Sequence, residues 1–363
     1  MKAELTRERI QNYILERVEP RRIVVLIAPT GFGKSFLIAR TCERKGSRVL
    51  HLLPMRSIIR DQLKKMIKSV GSRDAIGFMA GLGDSVEVEL DGEKIVIERD
   101  PFILRRGIIA TYDSAFLTMF LAPLSDLGKV RAHWDVVYYS LYNRIIAFDE
   151  VHVLMRADEF ERQEDMSENL YLLPSFAVIL VDALKCGVLW TSATIPPVSL
   201  RLLLELAKKE GVDVDVIILG GNDIMKLYKD LFNGSPEEFV SFFRVEDVVK
   251  SDEEYRDIFR SYIDRVRTIV TDEDTLTLAK EVIKLDSSRR ILIVVNTVKR
   301  AVDVYRELSK MKESEGSRIV LIHGRLRRGE KERRIELIED FMKSVEKERL
   351  IVVSTQVLEA GVD

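Results

Sequence analysis

Residues Ala28-Pro29-Thr30-Gly31-Phe32-Gly33-Lys34-Ser35 follow directly on the apolar run Ile23-Val24-Val25-Leu26-Ile27. A phosphate-binding loop needs a strand, a tight turn whose N–H groups converge on the phosphates, and a helix N-terminus behind them. Glycines stand where a side chain would block that approach. A lysine brings a mobile charge to the β- and γ-phosphates, and a serine hydroxyl meets Mg²⁺. Here the run ends at Ala28, and Phe36-Leu37-Ile38-Ala39 continues as a helix after Lys34 and Ser35. Thr30, Gly31, Gly33, Lys34 and Ser35 are therefore candidates to hold ATP. The bland alternative is a glycine-rich turn that carries a lysine by chance.

A second chemical group closes another apolar run. Arg144-Ile145-Ile146-Ala147-Phe148 leads into Asp149-Glu150-Val151-His152. Magnesium on ATP takes an outer carboxylate from the tip of a neighbouring strand. A second carboxylate can polarise the attacking water. Asp149 is the candidate for Mg²⁺ together with Ser35, and Glu150 is the candidate for the water. Alone, such a pair is often only a solvated strand end.

Both groups need strands that finish at one edge of a sheet. Candidate strands are 23–28, 48–53, 107–110, 144–148, 187–191 and 214–219, with amphipathic stretches such as Ser57–Ser69 and Leu200–Glu210 between them. Alternation of this kind predicts a parallel sheet with helices on both faces. Beyond residue 289 comes a second series: strand 291–295, helix 298–310, strand 319–322, helix 331–342, strand 350–354. The plan is α/β, with two similar domains in tandem: 1–219, a connector with helices at 220–288, and 289–363. Two alternating runs around Asp91-Gly92 within Val86–Ile97 predict a surface hairpin inserted into the first domain.

Composition narrows the classes. The formal net charge is −2, so any nucleic-acid partner must meet a local basic surface. Cys42 and Cys186 are far apart and form no metal-ligand cluster, which fits a reducing, cytoplasmic setting. The N-terminus is charged and without a signal-peptide stretch. The longest apolar run, Phe176–Trp190, is broken by Asp182 and Lys185, so no membrane span is expected. Four Gln and six Asn against 32% charged residues suit a heat-adapted protein.

Taken in order, these stretches resemble a known family. Gly31-Phe32-Gly33-Lys34-Ser35, Asp149-Glu150-Val151-His152 and Ser192-Ala193-Thr194 are similar to motifs I, II and III of superfamily two helicases. Leu53-Pro54-Met55-Arg56-Ser57-Ile58 resembles motif Ia, and Ala110-Thr111-Tyr112-Asp113-Ser114 the nucleic-acid-contacting motif after it. Val295-Asn296-Thr297 resembles motif IV, His323-Gly324-Arg325 falls at a short strand-end motif, and Ser354–Asp363 resembles motif V. The resemblance implies two RecA-like P-loop domains with parallel sheets, using ATP and Mg²⁺. It implies that Gly361 and Asp363 contact the nucleotide, that Arg56, Thr111 and Thr355 contact phosphates of a strand, and that Ser192 and Thr194 couple the two events. Plainer readings stand beside these. Ser192–Thr194 suits a strand-to-loop turn, and Arg56 a solvated first-turn arginine. The cluster Arg325, Arg327, Arg328, Lys331, Arg333 and Arg334 is interleaved with Glu330, Glu332 and Glu336. Gln11 lies where related helicases read adenine, among residues that match poorly.

Within the superfamily, "STQVLEAGVD" and "FDEVH" look most like the CRISPR-associated helicase of type I interference systems. That resemblance implies antiviral defence: recruitment to the Cascade surveillance complex and ATP-driven 3′-to-5′ movement on single-stranded DNA. The family often carries a fused HD-type nuclease. The only histidines here are His51, His133, His152 and His323, with no His-Asp dipeptide, so the nuclease is expected as a separate protein. The chain ends at Asp363, before the family's arginine motif, which predicts a second domain that is incomplete here and ATP binding with poor hydrolysis. An arginine of that kind is worth about 10³- to 10⁵-fold in rate. The alternatives are a DExH helicase of DNA repair or RNA metabolism, and a fragment that binds ATP and nucleic acid without turnover.

Overall fold

The structure is a computed structural model that describes residues 6–44, 46–120, 134–155, 168–232, 240–263, 271–285, 290–311, 316–343 and 349–355. It divides into two compact units, 1–266 and 267–363.

Along the first unit run α1 (Arg7–Arg17), β1 (Arg22–Ile27), α2 (Lys34–Glu43), β2 (Val49–Leu53), α3 (Ile59–Val70), β3 (Ile76–Met79), β4 (Ser85–Leu90), β5 (Glu93–Glu98), β6 (Gly107–Thr111) and α4 (Tyr112–Phe120). Next come α5 (Trp134–Leu141), β7 (Ile145–Asp149), α6 (Glu168–Asp182), β8 (Gly187–Ser192), α7 (Pro197–Glu210), β9 (Asp213–Gly220), α8 (Asn222–Phe232), β10 (Val240–Arg244), α9 (Val245–Ser251) and α10 (Glu253–Ile263). Eight of these strands form one sheet in the order β10-β9-β1-β8-β7-β2-β6-β3, every pair parallel. β4 and β5 form the expected antiparallel hairpin.

The period-two alternation of strand side chains explains the two-sided core. Ile23, Val25 and Ile27 join one buried cluster with Leu50, Leu52, Phe148 and Trp190. Val24, Leu26 and Ala28 join the other with Leu37, Ile38, Leu63 and Leu189. The run Phe176–Trp190 does not span anything: it is the end of α6 followed by β8, and among the described residues no helix is long and apolar enough to cross a membrane.

Two strands of this sheet do not stand out in the sequence. β3 is four residues with a glycine inside, and β10 pairs only with β9 at the opposite edge. β10 lies in the stretch 220–288 that reads as a connector. That stretch is divided: β10, α9 and α10 belong to the first unit, and α11 (Thr275–Leu285) to the second. The expected helix at Ser57–Ser69 is also in two parts, a 3₁₀ turn at Arg56–Ile58 and then α3.

The second unit continues with β11 (Arg290–Val294), α12 (Val298–Leu308), β12 (Ser317–Ile322), α13 (Arg328–Lys343) and β13 (Arg349–Ser354). Its parallel sheet has the order β11-β13-β12. Thr297 starts α12 by accepting the N–H of Arg300 at 3.2 Å, a side-chain N-cap.

Candidate nucleotide site

Strand register brings the motifs of the first unit to one edge. Ile27 pairs with Ser192, Asp149 with Thr191, and Leu53 with Thr111. In a parallel α/β sheet, ligands collect at the carboxyl ends of the strands, and these are such ends.

The loop after β1 has the shape of a cradle. Gly31 and Gly33 have φ of 81° and 95°, a region that side chains other than glycine's seldom adopt. A Cβ on Gly33 would also meet Gln11 Nε2 at 2.9 Å. Gly33 is the N-cap of α2, and no side chain caps that helix start. The positive end of α2 is thus presented to an anion. Phe32, between the glycines, is fully buried, and its ring meets Tyr255 of α10 edge-on at 6.4 Å. Its carbonyl accepts a hydrogen bond from Gln11 Nε2 at 2.8 Å. The loop is therefore held from α1 on one side and from α10 on the other.

Lys34 is only 6% exposed. Its ammonium donates to Ala28 O at 3.1 Å and lies 3.6 Å from Glu150 Oε1. Ser35 Oγ donates to Asp149 Oδ2 at 2.9 Å, and Thr191 Oγ1 to Asp149 Oδ1 at 2.6 Å. His51 Nε2 is 3.2 Å from Asp149 Oδ2. Burial pushes the Asp149 carboxyl up, but the hydrogen bond and charge of His51 and the hydroxyls of Thr191 and Ser35 outweigh it and hold the group at about 2. Asp149 is therefore an anion at neutral pH, already bonded to the serine that would share a magnesium ion with it. The main-chain oxygen of Asp149 accepts from the hydroxyl of Tyr112, whose own pKa is pushed well up by burial and by the carboxylates of Asp149 and Glu150.

Glu150 sits in the left-handed region at φ 53°, ψ 48°. Its Oε2 is 3.3 Å from His152 Nδ1, and that nitrogen is 2.8 Å from Ser192 Oγ. Ser192 Oγ donates to Thr194 O at 2.7 Å and accepts from Thr194 N–H at 3.2 Å. A continuous polar path thus runs from Lys34 through Glu150 and His152 to Ser192 and Thr194. These contacts fit a Mg²⁺-nucleotide: open glycines and an uncapped helix for the phosphates, an ammonium beside them, and a hydroxyl–carboxylate pair for the ion.

The remaining sequence candidates are more scattered. Thr30 follows Pro29 in the loop and is exposed. Arg56 is exposed, and its guanidinium donates to Gly81 O at 3.3 Å. Thr111 is buried, with its hydroxyl donating to Ser114 Oγ at 3.0 Å. In the second unit Thr355 follows β13, is buried, and donates its N–H to Ile322 O at 3.2 Å. Gly361 and Asp363 lie outside the described residues. In the basic cluster, Arg325 and Arg327 are exposed, while Arg334 is bonded to Glu330 and to Leu321 O. His51 and Thr191 are site residues that sequence reading does not single out, and Tyr112 braces the main chain behind them without touching the carboxylate. The one signal for His51 is a polar side chain inside the apolar strand Val49-Leu50-His51-Leu52-Leu53.

Comparison with known proteins adds to this geometry. Residues 8–203 match the DEAD/DEAH box helicase family, and residues 287–363 match the family described as CRISPR-associated nuclease/helicase Cas3, C-terminal. A CRISPR-associated nuclease/helicase Cas3 from Methanothermobacter thermautotrophicus is 25% identical over 350 residues, covering 94% of this chain and 35% of that protein. The crystal structure of T. fusca Cas3-ATP superimposes with a TM-score of 0.57 at 16% identity, covering 97% of this chain and 40% of that one. This likeness shows the fold, RecA-like α/β units. The chain spans about a third of the length of the archaeal relative.

Proposed function

The chain belongs to the DEAD/DEAH box helicase family, in its CRISPR-associated Cas3 type, and from that premise we propose that it is an ATP-driven motor for single-stranded DNA in type I interference. The observation that carries the reading is the meeting of Lys34, Ser35, Asp149 and Glu150 at one sheet edge. Lys34 and the N–H groups of the loop bind the β- and γ-phosphates. Ser35 and Asp149 hold Mg²⁺, which supplies charge neutralisation on the phosphates when bound. Glu150 orients the attacking water and takes its proton. His152, Ser192 and Thr194 carry the state of Glu150 to the strand edge. Arg56, Thr111 and Thr355 contact strand phosphates, which positions DNA without reading its sequence. Gly361 and Asp363 complete the nucleotide contacts. The partners are single-stranded DNA, the Cascade complex and an HD-type nuclease, and the setting is the cytoplasm.

ATP turnover measured with single-stranded DNA, single-stranded RNA and no nucleic acid tests the proposal. Acceleration by DNA above RNA supports it. Acceleration by RNA alone favours an RNA helicase, and nucleotide binding without turnover under any condition favours a binding fragment.

A further inference from the structure

β6 and β7 are not neighbours: β2 lies between them in the sheet. Yet their carboxyl ends are joined directly by one side chain. Tyr112, the first residue of α4, follows Thr111 at the end of β6 and is 4% exposed. Its ring lies parallel to Phe116 at 6.1 Å and close to parallel with Phe148 at 6.2 Å. Its hydroxyl crosses the end of β2 and donates to the main-chain oxygen of Asp149.

That oxygen belongs to the peptide leading into Glu150, whose φ of 53° is rarely adopted by a residue with a side chain. Such a conformation persists only where the surroundings over-determine it, and the Tyr112 bond is one of the contacts that hold it here. The same conformation directs the Glu150 carboxylate between Lys34, at 3.6 Å, and His152, at 3.3 Å. A shift of the β6–α4 junction therefore pulls on the Asp149–Glu150 peptide through one hydrogen bond. The rings of Phe116 and Phe148 keep the tyrosine from following the motion by rotating away.

We propose that Tyr112 is a positioning residue that couples strand binding at the β6–α4 junction to the placement of Glu150 in the nucleotide site. This rests on the functional reading above. A tyrosine present only to fill the core would need its ring and not its hydroxyl, so Tyr112→Phe separates the two roles. It keeps both ring contacts and removes the single bond to Asp149.

The test is a binding cycle on this chain, with a fluorescent non-hydrolysable ATP analogue and Mg²⁺, titrated with and without a single-stranded oligodeoxynucleotide. Coupling between two sites of one protein is typically about 5- to 150-fold in affinity. The wild type is expected to bind the analogue at least about 5-fold more tightly with DNA present. Tyr112→Phe is expected to keep the DNA-free affinity and to lose that enhancement. Equal enhancement in both proteins overturns the assignment, as does an absence of enhancement in the wild type. A weaker DNA-free affinity in Tyr112→Phe, with the enhancement intact, also overturns it, because the hydroxyl would then be structural only. If the analogue does not bind in a Lys34-dependent way, the nucleotide-site reading itself fails and takes this proposal with it.

Discussion

Thr191 stands directly opposite Asp149 in the parallel register of β8 and β7, and its hydroxyl donates to Asp149 Oδ1 at 2.6 Å. Ser35 donates to the other oxygen at 2.9 Å, and His51 lies 3.2 Å from it. A fully buried carboxylate is thus held as an anion by three partners from three separate elements. Ion pairs and hydrogen bonds to a buried charge repay its desolvation only when they are this complete.

Removing one of those partners has a cost in stability. His51→Ala leaves Asp149 buried with one donor fewer, and the expected loss is about 1–3 kcal/mol. Urea unfolding followed by circular dichroism measures it. An unchanged midpoint would mean that water or a moved side chain replaces the histidine without penalty.

Arg144 is fully buried at the start of β7. Its guanidinium donates to the main-chain oxygens of Ser140, Val49, Arg106, Ile103 and Arg105. Burial and the nearby Arg48 charge lower its pKa to about 10, so it remains charged at neutral pH. It pins the amino ends of the central strands, opposite the nucleotide edge. Arg144→Met strands those carbonyls and is expected to cost about 3 kcal/mol or more. Arg144→Lys is not expected to rescue, because an ammonium has three donors and no planar fork. Thermal unfolding of the two variants decides the matter.

Tyr255 gives a prediction of opposite sign. Its ring is buried against Phe32 of the phosphate loop and under Arg7 at 5.9 Å, but its hydroxyl has no hydrogen-bond partner among the described residues. Replacing an unpaired buried hydroxyl is neutral or stabilising. Tyr255→Phe is therefore expected to melt at or above the wild-type temperature. Tyr255→Ala opens a cavity behind the loop, at about 3–5 kcal/mol as for a large aromatic. It should also weaken nucleotide binding, read by titration with a fluorescent ATP analogue at a temperature where the variant is folded.

How much of this was legible beforehand follows from where each residue's partners lie. Lys34, Ser35, Asp149 and Glu150 sit in short stretches whose spacing carries the chemistry, and each next to a run of buried apolar residues that announces its strand. Nine strands, β1, β2, β6 to β9 and β11 to β13, could be read the same way, from continuous apolar runs flanked by turns. His51 could not, because its partner is identified only by the sheet order that sets β2 beside β7. Gln11 shows the same limit: its bond to Phe32 O depends on how α1 packs on the loop, which no local pattern states. β10 was hidden because an edge strand that follows acidic, turn-rich sequence has no apolar run on both faces. Its pairing with β9 is a tertiary event.

The polar path from Glu150 through His152 to Ser192 predicts a separable defect. Ser192→Ala removes the hydroxyl that joins His152 to Thr194 and leaves the contacts of Lys34, Ser35 and Asp149 in place. Nucleotide affinity should stay within about twofold while DNA-stimulated turnover falls by roughly 5- to 100-fold, the range of ordinary coupling. Parallel measurement of KM and kcat distinguishes this from a loss of binding.

The most direct measurement of the central claim is ATP turnover by the wild type and by Glu150→Gln, each with saturating single-stranded DNA, beside nucleotide binding by both. The account predicts that the wild type turns over ATP faster with DNA. Glu150→Gln should bind the nucleotide as well as the wild type and lose turnover by about 10²- to 10⁴-fold, the usual worth of a general base. Equal, measurable turnover in the two proteins would contradict the placement of the catalytic carboxylate, and failure of both to bind the nucleotide would contradict the site built around Lys34 and Asp149.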